Sequence, residues 1–330
     1  MAPAPSIADW AIENADRLDL KVDRLTWADA WIPGLWDFFV EIKVGGQTFN
    51  GRGSALTDDE AFTKAVAEAM ERTAIPASTL SSGFAAHVDV ESAKSSALKE
   101  LVERDAFFCH WLTKTPFLQK LDEKSCGLSL GDRAIAHIVE QAETKGVQLQ
   151  IAKMKSFNRL SAYLCVASGT GAVPPFGTVI GLGCEADPDQ AIRHAVVECL
   201  RTSVAWISGN YSGGEALSRA AFERIAAKGA LEHERFGLSL DAVDLLAPNL
   251  DSLQDQIYIE PDMVADFTII ELPEPVADAP LIIARATSPR VQNAFFGPVA
   301  PAHVNLIRLA EFCGRPVCLN DLRLDPHPFG

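Results

Sequence analysis

Two segments of this sequence repeat one pattern of charge, and that repetition restricts the fold more than any other feature. Glu68-Ala-Met-Glu71-Arg72 and Glu100-Leu-Val-Glu103-Arg104 each place two glutamates three positions apart. On an α-helix such positions share one face, with about 5–6 Å between their Cβ atoms. Each segment therefore predicts a helix with a paired-carboxylate face. Two such faces on neighbouring helices would suit a divalent cation, and the same pattern also fits solvated faces with local ion pairs.

Capping signals and apolar periodicity set the boundaries of the long helices. Thr57-Asp58-Asp59-Glu60 has the form of a capping box and opens a predicted helix over 57–73. A small-residue loop over 76–83 then leads to a second predicted helix over 90–111. A third long helix is predicted from Asp187-Pro188, since proline suits the first turn of a helix.

Strand patterns complete the predicted fold. Alternating apolar residues from 36 to 44, a Gly45-Gly46 turn and a return segment predict a β-hairpin. Further strands are predicted at 147–152, 163–168, 178–182, 267–272 and 281–286, and further helices at 130–145, 215–245 and 304–313. Helices and strands do not follow the regular rhythm of a βαβ fold. The sequence thus predicts an α+β fold, with mixed sheets and long helices in one large domain over residues 1–330.

Composition narrows the classes of function. The formal net charge of −15 opposes general nucleic-acid binding, but it admits ATP if Mg²⁺ lies between carboxylates and phosphates. No stretch has the pattern of a signal peptide or the length of a membrane span. The seven cysteines are scattered and form no CxxC motif, which favours reduced thiols over disulfides or a zinc site. A cytoplasmic protein without a membrane partner is expected.

Three smaller motifs add candidate binding residues, each with a structural alternative. Gly51-Arg52-Gly53 would let a backbone and a guanidinium approach a phosphate, or it is a hairpin exit with a solvated arginine. The loop that contains Ser82 precedes a helix and could bind an anion, or it is a simple turn. His194 lies four residues before Glu198 on one helix face, where it is a site residue or a hydrogen-bonded helix histidine.

In their order along the chain, these segments resemble the YcaO family. The shared order is a hairpin with G-[KR]-G, a helix with ExxER, a loop of the form S-x-G-x-A-A, a helix ending E-L-x-E-R-D-A and a late helix with a glutamate. The last residues, 325–330, resemble the proline-rich C-terminal tail of ring-forming members. The resemblance extends over essentially the whole chain and implies a YcaO-type fold.

The resemblance implies ATP- and Mg²⁺-dependent activation of peptide backbone amides. In ring-forming members a Cys, Ser or Thr side chain attacks the preceding carbonyl, ATP phosphorylates the amide oxygen, and loss of phosphate leaves an azoline. Other members make thioamides or amidines. The implied partners are a precursor peptide, which is ribosomally made and then modified, and a separate ThiF-like leader-binding or other partner protein. A homodimer is a further option.

Carried over to this sequence, the resemblance assigns roles to particular residues. The expected metal ligands are Glu68, Glu71, Glu100 and Glu103. The expected nucleotide-binding residues are Arg52, Glu68, Glu71, Ser82, Glu100, Glu103, Arg104, His194, Glu198 and Arg201. The terminal carboxylate of Gly330, or the imidazole of His327, is the expected general base.

Several positions depart from the family pattern, among them Val88, Ser92 and Ser95, where the family usually offers Asn, Glu and Gln to the nucleotide. The family usually has Lys at Arg52, Ser at Lys64, Asn at Ser82 and a final Pro at Gly330. The metal carboxylates are kept, whereas several nucleotide contacts are changed. Two functions remain open on this basis. The chain is an ATP-dependent cyclodehydratase, or it is a YcaO-derived subunit without catalysis that binds peptide or scaffolds a partner enzyme.

Overall fold

The computed structural model describes residues 6–75, 82–121, 133–169, 173–250 and 261–330. Its α-helices are α1 Ile7–Glu13, α2 Ala15–Leu18, α3 Thr26–Trp31, α4 Asp58–Ala74, α5 Val90–Thr113, α6 Arg133–Thr144, α7 Pro188–Ile207, α8 Arg219–Arg224, α9 Ala230–Gly237, α10 Ala247–Leu250 and α11 Leu306–Cys313. Its strands are β1 Lys21–Arg24, β2 Trp36–Val44, β3 Gln47–Ala55, β4 Phe84–His87, β5 Gln119–Leu121, β6 Val147–Met154, β7 Ser161–Gly169, β8 Val179–Glu185, β9 Asp266–Ile270 and β10 Ile282–Thr287. Cys126, residues 76–81 of the predicted loop and residues 130–132 of a predicted helix lie outside the described residues.

The chain divides into two compact units. The first contains Met1–Leu101 and Val264–Ser288, and the second contains Val102–Met263 and Pro289–Gly330. Helix α5 belongs to both, because the division falls between Leu101 and Val102. The mixture of sheets and helices is the predicted α+β class, and a single domain over residues 1–330 stays a prediction. In the described parts of both units, no helix combines the length and apolar character that crossing a bilayer requires.

The predicted hairpin forms the centre of the first unit. Strands β2 and β3 pair antiparallel from Trp36↔Ala55 to Val44↔Gln47, and β1 adds to the outer side of β2. Gly45 and Gly46 make the turn with φ of 58° and 81°, which glycine adopts at low cost. The hairpin extends further than predicted, because the Gly51-Arg52-Gly53 segment lies inside β3 rather than after it.

Helix α4 covers one face of this hairpin. The Thr57 hydroxyl accepts a hydrogen bond from the Glu60 N–H at 3.3 Å, which confirms the predicted helix start. Ala61, Ala65 and Ala69 are fully buried against the hairpin, so the small side chains bring the helix backbone close to the sheet. A Cβ at Gly53 would lie 2.0 Å from the Ala61 carbonyl oxygen, which leaves room only for glycine.

The second sheet of the first unit corrects one prediction. Its strand order is β4-β10-β9, with all pairs antiparallel. Phe84-Ala-Ala-His87, for which no strand was predicted, is strand β4 and pairs with β10 from Arg285↔Phe84 to Ile282↔His87. The segment lacks the β-branched residues and alternation that indicate a strand, so its conformation depends on the partner strand, which is remote in sequence.

The second unit is built on a four-stranded antiparallel meander, β5-β6-β7-β8, in which β6, β7 and β8 lie at predicted positions and β5 was not predicted. Strand β7 is buried over most of its length, and helix α7 packs on β7 and β8. The Asp187 side chain accepts a hydrogen bond from the Asp189 N–H at 3.1 Å, and Pro188 occupies the first turn, as predicted. The predicted helix over 215–245 is wrong in length, because the described helices there are α8 and α9 with coil between them.

A buried ion pair joins two helices in the core of the second unit. Arg308 on α11 and Asp105 on α5 are only 3% and 0% exposed, and their side chains make hydrogen bonds of 2.6–3.2 Å. The Gln292 N–H adds a further hydrogen bond of 2.8 Å to Asp105. Because the carboxylate is satisfied from two directions, its desolvation is offset, and removing either charge would leave the other buried alone.

The close contact between α7 and β8 gives a test of the packing. A Cβ at Gly181 would lie 2.2 Å from the Ala195 carbonyl oxygen, and backbone atoms cannot move aside without separating helix from strand. We expect Gly181→Ala to lower the free energy of unfolding by about 2 kcal/mol or more, measured by urea denaturation. Gly229→Ala is the control, because the nearest atom is 3.5 Å away. Equal losses in both variants would contradict the packing account.

Candidate active site

Glu68 and Glu100 each fold back from a helix onto the strand that precedes it. Oε2 of Glu68 accepts a hydrogen bond from the Arg52 N–H at 2.7 Å, and Oε2 of Glu100 accepts one from the Phe84 N–H at 2.6 Å. The other oxygen of Glu68 accepts a hydrogen bond from Arg72 at 2.6 Å. Both carboxylates thus fix the helix to the strand, and both lie in the first unit with the residue that completes this cluster, Glu71.

Glu71 is half-buried and has a strongly perturbed acidity. Burial first, then the negative charges of Glu100 and Glu68, raises the pKa of the Glu71 carboxyl from 4.5 to about 8, against the opposing charge of Arg72. At neutral pH this carboxyl therefore holds a proton in the absence of a cation. A pKa shift of this size, caused by burial and like charges together, is typical of a functional site.

The chemistry of these donors fits a divalent cation. Mg²⁺ prefers carboxylate oxygens, and it would replace the proton on Glu71 and relieve the repulsion from Glu68 and Glu100. Within the described ranges, no group of three or more His, Cys, Asp or Glu side chains already surrounds a single metal position. The predicted metal set of Glu68, Glu71, Glu100 and Glu103 therefore stays a prediction.

Glu103 and Arg104 lie in the second unit, about one turn after Glu100 on α5. Their side chains are 14% and 15% exposed, and Arg104 Nη1 lies 3.9 Å from Oε1 of Glu103. The Arg104 guanidinium also lies 4.1 Å from the ring centroid of Phe329, in the C-terminal tail. The arginine predicted to bind phosphate is thus held against the tail by a cation–π contact.

Arg52 contacts a carboxylate of the protein, whereas the sequence predicted that it contacts a phosphate. Its Nε atom lies 3.1 Å from both carboxylate oxygens of Asp37, which is buried on the neighbouring strand β2. Oδ1 of Asp37 also accepts a hydrogen bond from the Ser54 hydroxyl at 3.0 Å. The Arg52 charge therefore compensates a buried carboxylate, and binding of phosphate by this side chain stays a prediction. Ser82, also predicted to bind nucleotide, is buried immediately before β4.

Glu198 repeats the arrangement of Glu68 and Glu100 in the second unit. Its Oε2 atom accepts a hydrogen bond from the Leu182 N–H at 2.5 Å. In all three cases the glutamate follows its strand donor by 16 residues. The sequence prediction found these glutamates but missed their common strand contact. The constant spacing between strand residue and glutamate is the signal that could have revealed it.

A small open pocket brings several predicted residues together in the second unit. Its lining includes Glu198, Arg201 and the terminal residue Gly330. It also includes Glu234, which the sequence prediction missed and which accepts hydrogen bonds from Thr202 at 3.1 Å and Tyr211 at 2.6 Å. His194 lies apart from this lining, with Nδ1 3.6 Å from Glu185.

The C-terminal tail is packed into the second unit. His327 is 1% exposed, and its Nε2 lies 2.8 Å from the Phe295 carbonyl oxygen. Its ring stacks on His233 with centroids 3.8 Å apart, and burial lowers the pKa of both imidazoles. Because the imidazole of His327 is neutral and enclosed, it does not support His327 as the predicted base. Gly330, by contrast, is exposed and lines the pocket.

The acidity of Glu71 makes a prediction about stability and pH. The folded protein holds a proton on Glu71 that the unfolded chain releases, so the unfolding free energy falls as pH rises from about 4.5 towards 8. Glu71→Gln should not show this decrease in unfolding free energy with pH. At pH 8 without metal, its unfolding free energy should exceed that of the wild type by at least about 1 kcal/mol. Urea unfolding at pH 5 and pH 8 measures the difference. Glu60→Gln, on the same helix, should keep the wild-type slope, and an unchanged slope in Glu71→Gln would refute the assignment.

Comparison with solved structures shows the fold. A heterocyclase in complex with substrate and cofactor matches with a TM-score of 0.68 and 11% identity, over 98% of this chain and 57% of the heterocyclase. YcaO from Methanopyrus kandleri, bound with AMPPCP and Mg²⁺, matches with a TM-score of 0.53 and 13% identity, over 85% of this chain and 89% of that one. The E. coli microcin synthetase McbBCD complex matches with a TM-score of 0.54 and 12% identity, over 77% and 85% of the two chains.

Sequence comparison identifies the family. No curated protein sequence matches this chain at a significant level. The family model described as "YcaO cyclodehydratase, ATP-ad Mg2+-binding" matches residues 76–259, more than half of the chain. The matched range contains Glu100, Glu103 and Glu198, while Glu68 and Glu71 precede it. This chain, which has the fold of the solved YcaO protein and spans 57% of the heterocyclase, belongs to the YcaO family.

Proposed function

We propose that this protein is an ATP- and Mg²⁺-dependent cyclodehydratase that activates backbone amides and closes Cys, Ser or Thr residues of a peptide into azolines. Membership of the YcaO family is the observation that carries the proposal. The half-buried carboxylate cluster at Glu71 supports it, because a proton held by burial and by like charges is what a cation would replace. When bound, Mg-ATP supplies the phosphoryl group that turns the amide oxygen into a leaving group.

In this mechanism, glutamates of the first unit supply negative charge for the proposed cation site. Glu71 would hold the cation once its carboxyl has lost its proton, and Glu68 and Glu100 would contribute negative charge next to it. Because their strand hydrogen bonds fix both neighbours, the cluster is ordered before the ligand arrives. Glu103, one turn further along α5, completes the proposed metal set.

The residues of the second unit act on the peptide and on anionic groups. Arg104 and Arg201 supply positive charge for phosphate oxygens, and Glu198 fixes α7 to the strand beneath it. The terminal carboxylate of Gly330 is the proposed base, which takes the proton from the attacking side chain and from the amide nitrogen as the ring forms. Gly330 lines the pocket beside Glu234.

ATP turnover tests the metal assignment. Glu71→Gln and Glu103→Gln should each reduce Mg-dependent ATP turnover at least about 100-fold, because each removes a charge from the cation site. Glu60→Gln should leave turnover within about twofold of the wild type. Turnover is measured by phosphate release, and folding by thermal denaturation. Full turnover in both folded site variants would exclude these glutamates as ligands.

The terminal carboxylate is tested by removing Gly330 alone. Deleting all five last residues would also remove the buried rings of His327 and Phe329, so that loss of function would have two causes. Removal of Gly330 shortens the chain by one residue, up to about 3.6 Å, and should abolish ring formation on a Cys-rich peptide while Mg-ATP binding persists. Mass spectrometry detects the loss of 18 Da per ring. An unchanged rate of ring formation would eliminate the carboxylate as base.

A subunit without catalysis is the second candidate, and two ion pairs favour it. Arg52 is engaged by Asp37, and Lys64 pairs with Glu60 at 2.8 Å, so two positions that contact nucleotide in the family are used for local structure. Such a subunit would bind peptide or scaffold a partner enzyme. Calorimetry separates the candidates, because this subunit would show no Mg-ATP binding while it still bound the peptide or the partner.

The proposed partners follow from the same family membership. The substrate is a precursor peptide, and a separate ThiF-like leader-binding protein or a similar protein presents it. A homodimer of this chain is one option for the assembly. One structural neighbour is itself a multi-subunit synthetase complex. We place the protein in the cytoplasm, where a reducing environment suits scattered cysteines without a CxxC motif.

A further inference from the structure

The outer strand of the second sheet in the first unit has an unusual edge. Strand β9 pairs with β10 on one side, and among the described residues no strand pairs with its other side. Phe267 and Ile269 share one face of β9 and are 40% and 44% exposed, and Val264 just before the strand is 81% exposed. An open edge with exposed apolar side chains can accept another strand.

A second edge strand in the same unit shows how such an edge is normally protected. Strand β1 is also exposed along its whole length, but its sequence is Lys21-Val-Asp-Arg24, with charges on three of four residues. Charged side chains, lysine above all, discourage pairing with a further strand. Strand β9 has no lysine, arginine or proline, and its Phe-Thr-Ile-Ile segment has high β-propensity. The contrast marks β9 as the edge suited to an incoming strand.

Charge around β9 restricts the incoming strand. Residues 264–281 contain four acidic residues and no Lys, Arg or His. Asp278 is paired with Arg17 at 2.9 Å, while Asp266 and Glu271 border the strand and are exposed. An occupant with basic residues at its ends would complement both carboxylates.

A second copy of β9 is a poor occupant by the same argument. Antiparallel pairing of two copies about Thr268 would place Asp266 of each chain opposite Ile270 of the other, and Glu271 opposite Ala265. Four exposed carboxylates would then lie around one strand pair and repel each other. The net charge of −15 adds repulsion between two whole chains.

We infer that the free edge of β9 binds an extended segment of a separate polypeptide, with alternating apolar residues and Lys or Arg at both ends. Backbone hydrogen bonds to the strand edge would give affinity, and contacts with Phe267 and Ile269 would select apolar side chains. Acidic residues at the border would select the basic ends. This docking edge does not depend on ATP or on the reaction proposed above.

Fluorescence anisotropy with a labelled synthetic peptide tests the inference. The peptide has two lysines at each end and five alternating Val and Thr residues between them. It should bind the full-length protein, and Ile269→Lys should raise the Kd at least about tenfold, since it adds a charge and removes an apolar contact. Val22→Lys on β1 is the matched control, with the same change of residue type at a 46% exposed position, and should leave the Kd unchanged. Ile269→Thr, which keeps β-propensity without new charge, should weaken binding by a smaller factor.

Control peptides define the chemistry of the occupant. Glutamates in place of the lysines, or a central proline that removes a backbone donor, should each abolish binding. No binding of the lysine-ended peptide to wild type, or equal weakening by Ile269→Lys and Val22→Lys, would overturn the inference. Light scattering that shows a dimer lost in Ile269→Lys would also overturn it, in favour of a second copy. Thermal denaturation checks that each variant is folded.

Discussion

The close approach of a helix to a glycine-bearing strand is the constraint on which the candidate site depends. Gly53 meets the backbone of α4, and Gly181 meets the backbone of α7, at distances that leave no room for a Cβ. With the helix this close, a glutamate sixteen residues after a strand N–H can reach it directly, as Glu68 and Glu198 do. The same spacing joins Phe84 to Glu100. Small residues at the contact therefore determine where the carboxylates lie, and each carboxylate in turn fixes its helix.

The position three residues after each of these glutamates differs between the helices. Glu71 and Glu103 occupy it on α4 and α5, whereas Arg201 occupies it on α7. Burial raises the pKa of Glu71, and the negative charges of Glu100 and Glu68, which are hydrogen-bonded to their strands, raise it further. The same contact between a glutamate and a strand is thus followed by a carboxylate suited to a cation on α4 and α5, and by an arginine suited to an anion on α7.

The position of the C-terminal tail depends on burial of its aromatic rings rather than on charge. His327 and His233 stack inside a cluster of phenylalanine rings, and both imidazoles have lowered pKa values because burial disfavours their charged forms. Such a contact keeps Pro328 and Phe329 in place, and it leaves Gly330 at the pocket. The aromatic cluster therefore positions the terminal carboxylate without taking part in the proposed reaction. Arg104 links this tail to α5 through its contact with Phe329.

Local sequence patterns determined the long helices, the hairpin and the glutamate pairs, because caps, glycine turns and helical spacing act between residues close in the chain. Tertiary structure decided the rest. Phe84–His87 is a strand only because β10 pairs with it, nearly two hundred residues later. Arg52 turns to Asp37 because that buried carboxylate needs a cation, and His327 is enclosed by rings from several distant segments. Burial and long-range pairing depend on the whole chain, so no local pattern in the sequence could specify them.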